Sequence, residues 1–101
     1  MARMLPSEAE RILANVPDQF IFHCYDGRKF WNLRDLAEAV SSMSGDVFSH
    51  HVTAERNDFA NWVADVIGDH VLARELWQTR SVATTMRRIA ERVVFLESRR
   101  S

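Results

Sequence analysis

Apolar positions in the middle of the chain recur with a helical period. Phe59, Trp62, Val63, Val66 and Ile67 stand at i, i+3, i+4, i+7 and i+8, the buried stripe of an amphipathic helix. Asn57, Asn61, Ala64 and Asp65 fall on its other side. Such a helix cannot hide Phe59 and Trp62 alone, so neighbouring elements must supply the other walls of a core. Ala9, Ile12, Leu13 and Val16 form a shorter stripe. It opens at Ser7-Glu8-Ala9-Glu10, which has the form of a capping box, and stops before Pro17. Leu33, Leu36, Ala37 and Val40 form another, with Asn32 as its cap and Asp35 in its first turn.

Ser41, Ser42, Ser44 and Gly45 interrupt that pattern as a loop, and Val47, Phe48, His51 and Val52 suggest a further helix of one to two turns. Thr53 is a candidate cap for the helix that follows, with Asn57 and Asp58 as later alternatives. Gly68 suits the left-handed position after it. Asp69 then caps a helix containing Leu72, Ala73, Leu76 and Trp77. Ser81 opens the last helix, about residues 81–98, in which Val82, Met86, Ile89, Val93 and Leu96 recur at spacings of four and three.

Only the segment from Gln19 to Trp31 changes period. Aromatic, β-favouring runs flank Tyr25-Asp26-Gly27-Arg28, and Asp-Gly predicts a type I′ hairpin turn. Phe20, Phe22 and Cys24 then share one face, with Ile21, His23 and Tyr25 on the other. The expected fold is mainly α: a compact bundle of about five to six short helices with one small β-hairpin near the N-terminus, in a single domain 1–101.

Composition narrows the function classes. The 13 basic and 14 acidic residues leave a net charge of −1, against a dedicated electrostatic grip on nucleic acid or a membrane surface. The charges are unevenly spread, with six arginines and two glutamates after residue 79. The single Cys24 cannot form an internal disulfide and suits a reducing compartment. No apolar run approaches a signal or spanning segment, so a cytoplasmic protein without membrane association is expected. No cofactor is implied.

Phe48, His51-Val52 and Asn57-Asp58-Phe59 with Trp62, following a short aromatic strand, an Asp-Gly turn and Asn32-Leu33, carry a resemblance. Over roughly residues 20 to 78 the chain resembles a family of small, mainly helical prokaryotic domains of unknown function, found alone or fused to other domains. Thr53 stands where that family would have Asn, a change that keeps the capping chemistry. The resemblance implies a domain used in several contexts and supplies no catalytic residues.

The candidate chemistry is sparse. His50 and His51 point about 100° apart on a helix, so the two cannot face one metal ion. His51 lies with Phe48 and Val52 on the inward side, as expected of a core histidine bonded to a backbone or carboxylate group. His23 beside Cys24 has no second matched pair to make a zinc site. Asp58 and Asp65 stand two helical turns apart and, with His50, would be the residues of a metal-assisted hydrolase. The plainer expectation has Asp65 solvated and Asp58 paired with an arginine or capping a backbone. Glycine-rich phosphate loops and nucleophile elbows are absent. Arg88 and Arg92, at i and i+4, could follow a phosphate backbone, although arginines near a helix C-terminus also stabilise the dipole.

The function expected is therefore a non-catalytic protein-interaction or adaptor module of a prokaryotic cytoplasmic system. The first alternative is a nucleic-acid-associated regulator using the arginine-rich last helix, and the second is the hydrolase. The partner-binding candidates are Tyr25, Arg28 and Trp31 on the hairpin and Arg88, Arg92 and Phe95 on the last helix, because aromatics and arginine carry most interface energy. The hairpin edge could also accept a strand. Self-association through Val82, Met86, Ile89, Val93 and Leu96 is a further expectation, set against packing of that seam on the helix 59–67.

Overall fold

The computed structural model describes residues 3–100. Helix α1, Pro6–Leu13, begins one residue before the expected capping box. Proline suits the first helical position, where an N–H would lack a partner anyway. Glu8 Oε1 accepts from the Leu5 amide at 3.5 Å, and Leu5 offers no side-chain acceptor in return, so only half of a box exists and Ser7 takes no part. Ala9, Ile12, Leu13 and Val16 are buried as their spacing predicts.

The hairpin pairs β1, Phe22–His23, with β2, Lys29–Phe30, placing Phe22 opposite Phe30 and His23 opposite Lys29. Its turn differs from the expectation. Gly27 N–H donates to Cys24 O at 2.9 Å and Cys24 N–H to Arg28 O at 2.8 Å. Gly27 has φ +93° and no other residue of the turn has a positive φ. A type I′ turn would need Asp26 there too, so this is a three-residue loop with glycine in the left-handed position. β1 is also shorter than expected, because Asp18–Phe20 form a 3-10 turn after Pro17. The Phe20 ring is accordingly 52% exposed instead of facing the core.

Asn32 caps α2, Leu33–Ser41, by accepting from Asp35 N–H at 2.8 Å. Ser44 caps α3, Gly45–His51, so Gly45 belongs to a helix rather than to the loop. Asn57, not Thr53, caps α4, Asp58–Trp62: its Oδ1 accepts from Ala60 N–H at 3.0 Å while its Nδ2 donates to Leu76 O at 3.0 Å. Thr53 Oγ1 instead takes the amides of Glu55 and Arg56 in a turn. After Trp62 the helix widens into a π turn, Val63–Ile67, closed by Gly68 N–H donating to Val63 O at 2.8 Å. The wider turn leaves Val66 half-buried while Phe59, Trp62, Val63 and Ile67 enter the core. Gly68, at φ +85°, ends it as expected.

Asp69 caps α5, His70–Trp77, and Ser81 caps α6, Val82–Arg99. Trp77 belongs to α5 as expected; it lies in the last turn and is 46% exposed. Helix α6 packs on α1, α2 and α5. The helix 59–67 is not among its main packing partners; α5 packs against both. Among the described residues, one core cluster draws on both strands and on all six α-helices. Its aromatic centre is Phe22, whose ring centroid lies 5.4 Å from Phe30, 5.2 Å from Phe59 and 5.8 Å from Trp62. The hairpin is thereby fixed onto α4. Among the described residues no helix is long and apolar enough to cross a membrane.

Candidate functional site

The hairpin tip is held from beneath by His51. This residue ends α3 and is 5% exposed, packed against the rings of Phe22 and Phe59 at 5.2 and 5.1 Å. Its Nε2 accepts from the Tyr25 amide at 2.9 Å, and its Nδ1 lies 2.9 Å from Asp58 Oδ2. A backbone N–H can only donate, so Nε2 must be the unprotonated nitrogen, and Nδ1 carries the proton donated to Asp58. The other Asp58 oxygen faces Arg56 Nε at 3.3 Å, and Arg56 also donates to His50 O. This is the core histidine expected from the sequence, bonded to both a backbone and a carboxylate group.

His50, the next residue, points outward and stacks on the Tyr25 ring, with centroids 3.8 Å apart and planes 13° from parallel. Tyr25 is 64% exposed. Its amide is tied to a buried imidazole and its ring to a second, exposed one. Arg28 is fixed beside it: Nε bonds Asp26 Oδ2 at 2.8 Å, NH1 bonds Ser42 Oγ at 3.1 Å and NH2 bonds Ala39 O at 3.2 Å. The Arg28 amide and guanidinium hold the Asp26 carboxyl below the usual carboxylate range. Burial pushes the neighbouring Cys24 thiol up.

Trp31 is half-buried, its Nε1 on Asp18 Oδ1 at 3.3 Å. With Arg28, Lys29, Phe30, Asp35, Glu38 and Ala39 it lines an open groove of about 430 Å³ between β2 and α2. Arg28 and Trp31 therefore share this groove, while Tyr25, in the turn, does not line it and stacks on His50 of α3.

Strand addition is the part of the hairpin expectation that the geometry opposes. The register leaves His23 and Lys29 with backbone groups pointing outward, since such groups alternate along antiparallel pairs. Beyond them, the Tyr25 amide is taken by His51, the Trp31 amide donates to Asp35 Oδ2 at 3.0 Å, and Trp31 O accepts from Val16 N–H at 2.7 Å. One open position per strand is too little ladder for an incoming strand.

The candidates on α6 are separated from these and are engaged within the chain. Arg92 forms a two-pronged bond with Asp69, whose side chain is 1% exposed. Arg88 lies 3.6 Å from Glu75. Phe95 is half-buried, with the guanidinium carbons of Arg92 and Arg99 at 5.1 and 5.0 Å from its centroid. Of the seam residues, Ile89, Val93 and Leu96 are buried in the chain's own core, and Val82 and Met86 are half-buried.

The hydrolase residues are dispersed in role. His50 is stacked on Tyr25, Asp58 holds His51 and Arg56, and Asp65 is exposed. Among the described residues no three His, Cys, Asp or Glu side chains are grouped to hold a metal ion. His51 as the anchor of Tyr25 is the residue whose part in the site the sequence did not reveal, because the bond spans 26 positions and uses a backbone donor. No family model, curated protein or solved structure matches the chain.

Proposed function

We propose that the chain is a non-catalytic protein-interaction module, an adaptor of a prokaryotic cytoplasmic system, that presents the hairpin tip to a protein partner. The observation that carries this reading is Tyr25, an exposed aromatic held in place by His51 at its amide and His50 at its ring. An anchor ordered before binding loses little conformational entropy when a partner covers it. Tyr25 supplies apolar area, Arg28 a fixed guanidinium, and Trp31 the wall of the adjoining groove, the residue types that dominate interface energetics. The resemblance to domains used in several contexts favours the same reading.

The nucleic-acid reading has less support, since Arg92 and Arg88 are turned toward carboxylates rather than left for phosphates. The hydrolase reading has less still, because His50 is stacked on Tyr25, Asp58 is engaged by His51 and Arg56, and Asp65 is exposed and not joined to either. The test is capture of a partner from the source cells by the tagged chain, compared with the Tyr25→Ala, Arg28→Ala double variant. Both side chains lie outside the core, so the variant folds; it loses the partner if the reading holds, and normal capture by the folded variant removes this surface.

A further inference from the structure

His51 carries a consequence for the tip beyond holding it. The neutral ring has its proton on Nδ1, toward Asp58, and its lone pair on Nε2, toward Tyr25. A proton taken from solvent can therefore bind only at Nε2. That converts the acceptor of the Tyr25 bond into a donor, so two N–H groups face each other across a separation that is now 2.9 Å. One side must yield. The ring is fixed by Phe22 and Phe59 and keeps its bond to Asp58, now a charge pair. The Tyr25 backbone lies in an exposed loop. The tip is the side that moves.

We propose that His51 is a proton-operated latch on the hairpin tip: protonation at Nε2 breaks its bond to the Tyr25 amide and releases the residue that presents the exposed aromatic. The release itself is a property of the chain alone; its effect on a partner rests on the interaction reading above.

The charged and titratable groups around His51 set the balance. From α4, Asp58 favours the imidazolium, and Arg56 on the other Asp58 oxygen weakens that attraction. From α3, the His50 ring lies 5.0 Å away, and a charge there opposes a second one on His51. From the hairpin come the buried Cys24 thiol, which stays neutral, and the Tyr25 phenol, exposed and stacked on His50. Asp26 and Arg28 in the turn neutralise each other. Because Asp26 is held below the usual carboxylate range, it keeps its charge over the interval of about pH 5 to 8 in which histidines change theirs. Protonation of His50 does not itself release the tip, since a cation over the Tyr25 ring is attracted to it.

The test follows two atoms by NMR on the full chain between pH 8 and 5: the ring nitrogens of His51 and the exchange protection of the Tyr25 amide, corrected for the intrinsic pH dependence of exchange. The latch predicts loss of Tyr25 protection with the same midpoint as His51 protonation, while the Cys24 amide, bonded to Arg28 O, stays protected. His51→Gln, whose carbonyl can accept from Tyr25 but cannot be protonated, should show no pH-dependent loss. Asp58→Asn should move the midpoint to lower pH, and His50→Phe should leave the Tyr25 loss in place. Unchanged Tyr25 protection while His51 protonates overturns the proposal, as does a His51 that stays neutral until the whole chain unfolds. A chain that shows the latch and binds nothing through Tyr25 would remove the interaction reading instead.

Discussion

Arg92 grips Asp69 with both prongs of its guanidinium: Nε meets Oδ2 at 2.7 Å and NH2 meets Oδ1 at 3.0 Å. The same Asp69 Oδ1 accepts from Leu72 N–H at 3.2 Å, so one buried carboxylate caps α5 and ties it to α6. One of the two arginines whose spacing could follow a phosphate backbone is thus part of the fold.

Arg92→Ala should destabilise the chain by about 3–5 kcal/mol, because it leaves a buried carboxylate without its partner. Arg88→Ala, which removes a half-exposed pair at 3.6 Å, should cost no more than about 1 kcal/mol. Urea unfolding of the two variants checks the contrast. Equal losses would show that the Asp69 pair contributes no more than a surface contact.

Trp62 joins the hairpin to α4 by packing on Phe22 and by donating from Nε1 to Phe20 O at 2.8 Å. Trp62→Ala should cost about 3–5 kcal/mol. Trp62→Phe should lose less, since it removes the bond and part of the area but keeps a ring in the stack. Thermal midpoints of both variants measure this, and an unchanged midpoint for the alanine variant contradicts the placement.

Glycine substitutions separate conformation from space. Gly45 has no heavy atom within 4 Å of an added Cβ and no unusual φ, so Gly45→Ala in α3 should stabilise by about 0.4–1 kcal/mol. Gly27→Ala meets nothing either but is held at φ +93°, and Gly68→Ala adds a 3.1 Å approach to Arg11 NH1 at φ +85°. Both should destabilise by about 1 kcal/mol or more. Denaturant midpoints that fell for all three variants would show that Gly45 is constrained in some other way.

The helix caps were the most legible part of the fold. Asn32, Asp69, Ser81 and Gly68 act within their own turn, so local sequence contains all the chemistry they use. Asn57 displaced Thr53 because it also bonds Leu76 O, a partner 19 residues away that no local pattern displays. Phe20 was misplaced for a related reason. It follows a valid alternating spacing with Phe22 and Cys24, but a 3-10 turn takes it out of the strand and turns it outward. At the candidate site the residue types were readable and their engagement was not. Arg28, Arg92 and Tyr25 are defined by Ala39, Asp69 and His51, all distant in sequence.

Cys24 gives a pH prediction with a definite sign. Burial raises its pKa, so folding favours the neutral thiol. The stability this contributes is fully present below the ordinary thiol value and is lost as pH rises through the folded one. Thiol labelling of the native chain should be slow at pH 8 compared with the urea-unfolded chain and should accelerate only in more alkaline solution. Labelling at equal rates in both states would contradict the burial.

The most direct measurement of the central claim replaces Tyr25 with a photo-crosslinking phenylalanine analogue, which keeps an aromatic ring at the tip, and irradiates the chain in its source cells. The same probe at Val71, 54% exposed on α5, serves as the reference. A discrete protein adduct from position 25 that is absent from position 71 and lost with Arg28→Ala is the predicted result. Adducts from position 71 with none from position 25 would contradict the hairpin tip as the interaction surface.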